Sequence, residues 1–135
     1  MDGILTKEKT MNIIETKLAP AAIGPYSQAL REGRFLYTSG QIPLHSETGQ
    51  MVQETFTKEV EQVLANLKEV LAGGGCAPKN VIKTTVFMTD LGLFAEFNEI
   101  YGKFFGAHKP ARSTVQVAAL PKGARIEIEA VAILP

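Results

Sequence analysis

The clearest indication of the fold is RIEIEAVAI, residues 125–133, near the end of the chain. Its side chains alternate in character, which is typical of a β-strand with one buried face and one open face. The face suited to packing against helices comprises Ile126, Ile128, Ala130 and Ala132. The opposite face mixes charges with large apolar side chains, namely Arg125, Glu127, Glu129, Val131 and Ile133. A partly apolar open face usually seeks a partner, so we expect a homo-oligomer in which sheets face one another.

Two amphipathic helices are predicted upstream of this strand. From about Thr55 to Ala72, apolar residues recur at steps of three and four, and the glycines at 73–75 end the helix. A second apolar stripe runs from Asp90 or Gly92 to about Phe105. Further strands are predicted at Asn12–Thr16, Ser27–Arg31, Phe35–Ser39, Val81–Thr89 and Arg112–Ala118. Two helices cannot cover both faces of a sheet of about six strands, so we expect an α+β fold, with a mixed sheet and both helices on one face.

Composition narrows the function classes. The chain has 135 residues and zero formal net charge, which disfavours a general nucleic-acid binder and a membrane-surface protein. Cys76 is the only cysteine, so no intrachain disulfide can form, and we expect a passive thiol there. We expect residues 1–11 to form a disordered tail and residues 12–135 to form a single domain. No secretory signal, membrane span or metal-ligand spacing is visible, so we expect a cytoplasmic protein without a metal.

Two places in the sequence could carry chemistry. Arg112 follows Pro110-Ala111 at the start of a predicted strand, and its planar guanidinium could bind a carboxylate through two parallel hydrogen bonds. Glu127 and Glu129 share one strand face, and a carboxylate that becomes buried between subunits could have a raised pKa and transfer protons. From spacing alone, the more common outcomes are a solvated arginine and a solvated carboxylate face.

Weaker candidates lie elsewhere. Tyr26, after Gly24-Pro25, could present its phenol to a pocket, or its ring could simply line a surface as an amphipathic wall residue. Ser39 and Gly40 end a predicted strand, where a hydroxyl and a backbone N–H could hold an anion or close a turn. Asn98 is expected at the edge of the second helix's apolar stripe, where a polar flank is also ordinary.

Several segments of this chain that contain the candidate residues, taken together and in order, resemble the RidA/YjgF (reactive intermediate deaminase) family. The resemblance is carried by PARS at 110–113, by the IEI triplet at 126–128, and by Val115, Ala118 and Leu120 between them. Upstream it extends through APAAIGPYSQA (19–29), TSGQIP (38–43), VIKTTVFMTDL (81–91) and FAEFN (94–98). Each piece alone is weak, but together they cover about residues 12–134.

The resemblance implies a chorismate-mutase-like fold in a homotrimer, with sites between subunits. It implies hydrolysis of 2-imino or enamine acids, which PLP-dependent dehydratases release, to 2-oxo acids and ammonia, without cofactor or metal. By resemblance, Arg112 binds the substrate carboxylate and Glu127 orients the water. The implied pocket residues are Tyr26, Ser39, Gly40 and Asn98, with Phe94 as an aromatic wall.

One position departs from the family pattern. Many active members have a cysteine where this chain has Thr114, which could still offer its carbonyl and hydroxyl to substrate. The substitution keeps open an alternative, a non-enzymatic regulatory trimer that binds a 2-oxo acid in the same pocket. A third interpretation, RNA cleavage, is disfavoured by the zero net charge and by the lack of an aromatic-plus-basic pattern.

Overall fold

The computed structural model describes residues 11–135 and shows an α+β fold built on a six-stranded sheet. The strands are β1 (Met11–Ile14), β2 (Ala29–Glu32), β3 (Phe35–Thr38), β4 (Val81–Met88), β5 (Ala111–Gln116) and β6 (Ile126–Ile133). The helices are α1 (Phe56–Gly73) and α2 (Phe94–Phe105). Residues 1–10 of the expected tail lie outside the described residues. Met11, the last residue of that expected tail, instead begins β1, because its backbone pairs with Glu32.

The sheet is mixed, and its strand order is β1-β2-β3-β6-β4-β5. Neighbouring strands are antiparallel except β4 and β5, which run parallel and are connected through α2. A parallel pair needs such a crossover, because the chain must return to the starting edge of the sheet before the second strand begins, and a tight turn is too short for this. β6 lies between β3 and β4. The stretch 125–133 therefore joins the amino-terminal strands to the β4–α2–β5 unit.

Both helices pack on the same face of the sheet. The four inward residues predicted on β6 are all buried in a core that also contains residues of α1 and α2, which confirms the predicted facing. The opposite face stays open and partly apolar, with Ile13 67%, Tyr37 50% and Phe35 40% exposed. Because only one face of the sheet is buried, buried and more exposed side chains alternate regularly along β6.

The first predicted helix is confirmed with small shifts at its ends. The Thr55 hydroxyl accepts a 3.1 Å hydrogen bond from the Lys58 backbone N–H and caps α1. The helix continues through Gly73, and the left-handed residue that follows it is Gly75, with φ +87°. Gly74 serves packing instead, because a Cβ there would lie 2.6 Å from the Leu36 side chain.

Several predicted ends of strands and helices differ from the structure, and side chains explain two of these differences. The second helix begins at Phe94, after a 3₁₀ turn at Leu91–Leu93, because the Asp90 carboxylate accepts a 2.8 Å hydrogen bond from the Gly92 N–H and holds this turn. β1 ends at Ile14 because the Gln28 side chain, at 2.6 Å, takes the Thr16 N–H that would otherwise continue the strand pairing.

Candidate active site

Glu127 lies on the open face of β6, in a cavity of about 500 Å³ that Tyr26, Ser39 and Gly40 also line. On β6 it alternates with the buried Ile126 and Ile128, so its side chain points away from the helices. The structure thus brings together four of the residues singled out from the sequence.

Gly40 gives the Glu127 side chain its place. A Cβ at position 40 would overlap the carboxylate, with the Glu127 Cδ at 2.7 Å and Cγ at 2.9 Å. The next residue, Gln41, exchanges backbone hydrogen bonds of 2.8 and 3.1 Å with Ile128 and fixes this close approach. Glycine is therefore needed at position 40 because it has no side chain. Its backbone conformation does not require glycine, since the φ of Gly40 lies outside the left-handed region.

The environment of Glu127 changes its acidity. Burial raises the pKa of the Glu127 carboxyl above its ordinary value, and the nearby Glu129 carboxylate raises it further. Both causes disfavour the charged form. A carboxyl whose pKa is raised toward neutrality is suited to accepting and returning a proton.

The loop that carries Tyr26 is held by a buried glutamine that sequence reasoning missed. The Gln28 side chain is 4% exposed, and its amide donates to the carbonyls of Pro20 at 2.7 Å and Thr16 at 3.1 Å. The Ser39 hydroxyl donates to the Ser27 carbonyl at 2.6 Å, which ties this loop to the end of β3. Tyr26 itself remains 54% exposed at the mouth of the cavity.

A buried ion pair anchors the start of β6, two residues before Glu127. The Glu59 side chain on α1 is fully buried and accepts two hydrogen bonds from Arg125, from Nε at 2.6 Å and from the backbone N–H at 3.1 Å. The signal in the sequence was a carboxylate inside an apolar stripe, between Phe56 and Val63. Such a group needs a partner when buried.

Arg112 lies on the other face of the sheet. It pairs in register with the buried Thr84 of β4, so its side chain points to the helix side. Its guanidinium lies 4.8 Å from the ring centre of Tyr101, 5.4 Å from that of Phe94 and 5.5 Å from that of Phe97. The helix α2 therefore presents three rings to this arginine, of which only Phe94 was singled out beforehand.

Asn98 and Thr114 accompany Arg112. Asn98 and Arg112 line a cavity of about 360 Å³. Thr114, two residues along the same strand face, lines a neighbouring cavity with Arg112 and Phe94. Among the described residues, nothing bonds to the buried Thr114 Oγ1. This oxygen could bond to a ligand.

The predicted site residues thus form two groups on opposite faces of one sheet. We call them the carboxylate half-site, Glu127 with Tyr26, Ser39 and Gly40, and the arginine half-site, Arg112 with Phe94, Asn98 and Thr114. The strand pairing places the two half-sites on opposite faces of the sheet. Arg112 lies beside Thr84 on the buried face, whereas Glu127 lies beside Phe87 on the open face.

Other features carry less chemistry. Cys76 is buried, and this burial raises the pKa of its thiol, so it is a poor nucleophile. Within residues 11–135, no three His, Cys, Asp or Glu side chains gather closely enough to hold a metal ion. Neither α1 nor α2 is a membrane-spanning helix, since none in the described part of the chain is long and apolar enough.

Comparison with known proteins identifies the family. The model of the endoribonuclease L-PSP family matches residues 16–134. The human 2-iminobutanoate/2-iminopropanoate deaminase is 51% identical over 121 residues, which cover 90% of this chain and 88% of the human protein. Escherichia coli TdcF, solved with bound serine, has a TM-score of 0.88 and 44% identity over 92% of this chain and 99% of its own. Yeast Mmf1 has a TM-score of 0.90 and 43% identity over 93% of this chain and 100% of its own. The chain therefore belongs to the endoribonuclease L-PSP family, the RidA/YjgF family that its motifs resemble.

Proposed function

We propose that this chain is an imine deaminase that hydrolyses 2-iminobutanoate, 2-iminopropanoate and their enamine tautomers to 2-oxo acids and ammonia. The human relative carries the name of this activity at 51% identity. The two half-sites supply the groups that the reaction needs, a carboxylate receptor and a proton acceptor. The reaction itself requires neither cofactor nor metal, because water already attacks the carbon of an imine.

Each half-site has a role in this mechanism. The Arg112 guanidinium pairs with the substrate carboxylate and fixes the position of the C=N carbon. Glu127 accepts a proton from water as its oxygen attacks that carbon and the C=N π electrons move to nitrogen. The same carboxyl gives this proton to nitrogen, which forms a carbinolamine. It then takes the proton of the new hydroxyl group and passes it to the amino nitrogen, so that the C=O bond forms, the C–N bond breaks and ammonia leaves. The raised pKa of Glu127 favours both transfers.

The remaining pocket residues bind and orient substrate in this proposal. Tyr26, Ser39 and Gly40 hold the polar atoms near the attacked carbon. Asn98 and the Thr114 hydroxyl contact the substrate from the arginine side, with Phe94 as an aromatic wall. The Thr114 Oγ1, which has no partner among the described residues, supports a substrate-binding role for this threonine.

The observation that carries the proposal is the separation of Arg112 and Glu127 by the sheet. One small substrate cannot touch both within one subunit. In a homotrimer with the chorismate-mutase-like arrangement, open sheet faces would meet. The edge strand β5 would then place the arginine half-site of one subunit against the carboxylate half-site of the next. The exposed Ile13, Phe35 and Tyr37 on that face support such an assembly.

Subunit complementation tests the function and the shared site together. Arg112→Ala and Glu127→Gln are expected to be inactive alone, because each lacks one half-site. Unfolded together at equal amounts and refolded, they should regain about one quarter of wild-type activity, the fraction of interfaces that receive both intact half-sites in a ring. The assay traps imine with semicarbazide while an amino-acid dehydratase generates it, and follows diversion to 2-oxobutanoate.

The controls separate assembly from chemistry. Each variant refolded alone should stay inactive, and both should show the wild-type mass in solution. No recovery in the mixture would contradict the shared site. A wild-type protein that never lowers semicarbazone formation would refute the deaminase itself.

A second candidate is a regulatory trimer that binds a 2-oxo or amino acid without turning it over. The serine bound in the E. coli relative favours this candidate. Such a protein needs Arg112 but needs no proton acceptor at 127. Glu127→Gln would then leave 2-oxobutanoate affinity intact, and the wild type would show no turnover.

A further inference from the structure

The rings around Arg112 form a defined cluster, which we call the aromatic cage: Phe94, Phe97 and Tyr101. They lie at steps of three and four along α2, so they share one helix face. The guanidinium carbon lies 4.8–5.5 Å from all three ring centres. A cation within about 6 Å of a ring centre is attracted by the electrons of the ring face.

The cage holds the guanidinium without using its hydrogen bonds. Within residues 11–135, no carboxylate forms an ion pair with the Arg112 guanidinium, and no oxygen accepts a hydrogen bond from the guanidinium. Ring faces attract the delocalised charge but accept none of the five N–H donors. The planar donor set thus stays available for a carboxylate.

The rings themselves are fixed. Phe97 is fully buried and Tyr101 is 7% exposed, with their ring centres 5.2 Å apart. The Tyr101 hydroxyl forms a 2.7 Å hydrogen bond with the Thr84 hydroxyl, and Thr84 lies beside Arg112 in the sheet. The cage is therefore tied both to the helix core and to the strand next to the arginine.

We propose that Phe97 and Tyr101, together with Phe94, are positioning residues that preorganise Arg112 as a carboxylate receptor. This inference rests on the proposed function, because it gives Arg112 a substrate carboxylate to bind. A held guanidinium loses less conformational freedom when the carboxylate arrives. Lysine would not replace it, since a compact ammonium offers neither the planar fork nor the stacking surface.

Matched substitutions on α2 test the role of the cage. Tyr101→Leu removes a ring that touches Arg112. Phe104→Leu removes a half-buried ring of α2 that contacts Phe105 at 4.9 Å but lies outside the cavities that Arg112 lines, and is the control. Tyr101→Phe keeps the ring and loses only the bond to Thr84.

We expect Tyr101→Leu to raise the Kd of 2-oxobutanoate and the KM for 2-iminobutanoate about tenfold, the size expected for one partly desolvated cation–ring contact. The kcat should stay within about twofold, because a carboxylate is bound equally in the ground and transition states. Tyr101→Phe should recover most of the lost affinity. Phe104→Leu should lower the melting temperature without raising the Kd, because this ring packs against the core outside the arginine half-site.

A spectroscopic signature reports the cage directly. Ring currents should displace the NMR resonances of the Arg112 side chain, assigned by their loss in Arg112→Ala. The displacement should shrink in Tyr101→Leu and persist in Phe104→Leu.

The outcomes separate this inference from the proposed function. Equal rises of Kd in Tyr101→Leu and Phe104→Leu would overturn the positioning role, and so would the absence of any rise in Tyr101→Leu. Turnover by the wild type would still support the deaminase in either case. A wild type that neither binds 2-oxobutanoate nor hydrolyses the imine would overturn both.

Discussion

Gly40→Ala is the substitution whose effect on kcat follows most directly from the distances in the structure. The added methyl group would overlap the Glu127 Oε2 and lie 2.7 Å from the Cδ, so the Cδ must move by at least about 0.7 Å, and the carboxylate oxygen by more, to reach the 3.4 Å of ordinary contact. Misplacing a catalytic group by about 1 Å can cost about 100-fold in rate. We therefore expect kcat for 2-iminobutanoate to fall by up to about 100-fold, equivalent to about 2.7 kcal/mol in the barrier.

The pH dependence gives a second readout of the same variant. Displacing the carboxyl from its buried position restores solvent around it, and burial is the larger cause of its raised pKa. Because the ionised carboxylate is the proton acceptor, activity falls as the pH drops through this pKa. The acidic limb of the rate profile should therefore move to lower pH in Gly40→Ala.

Gly73→Ala is the matched control. Its added Cβ would meet Ile14 and Thr16 no closer than 3.4 Å, and Gly73 lies at the end of α1 outside both half-sites. Semicarbazide trapping with both variants compares them under one assay. If Gly40→Ala keeps kcat within about threefold of Gly73→Ala, the placement of Glu127 against Gly40 does not govern the reaction.

Other predictions concern charges on and near β6. The Glu129 carboxylate adds to the effect of burial in raising the pKa of Glu127. Glu129→Gln removes this charge, so the acidic limb of the kcat/KM profile should move to lower pH. If the limb does not move, a group other than Glu127 gives rise to it. Glu127→Gln should raise the melting temperature at neutral pH, because a raised folded-state pKa means that ionisation costs stability. This gain should disappear as the pH falls below the unfolded value of about 4.3. Arg125→Ala leaves the fully buried Glu59 carboxylate unpaired and should cost about 3 kcal/mol in urea unfolding, more than Glu59→Gln; equal costs would show that an unpaired Glu59 carries no extra penalty.

The sequence predicted those parts of the fold that depend on local periodicity. The alternation on β6 and the apolar stripes of the helices reflect burial on one face, and burial leaves its period in the sequence. Arg112 and Glu127 could be singled out because their residue types suit the chemistry. Their assignment to opposite faces follows only from strand pairing, which joins positions far apart in the chain.

Long-range contacts explain what was missed. Gln28 reads as an ordinary strand residue until its side chain is seen to hold the carbonyls of Thr16 and Pro20. Tyr101 reads as one more apolar residue of a helix stripe, and only the parallel pairing of β5 with β4 brings Arg112 to it. Periodicity reports that a side chain is inside, but it does not report what lies against it.

The two faces of the sheet have different tasks, and this division constrains where activity can arise. The helix-side face supplies the buried core and also holds the Arg112 guanidinium against α2. The open face carries Glu127 among exposed apolar side chains. No change of side-chain rotamer can carry either group across a hydrogen-bonded sheet. A chain of this fold could therefore be fully stable and still lack a working site. Under the proposed assembly, the apolar residues of the open face act on catalysis by bringing a second copy, and activity should be lost on dilution together with the oligomer.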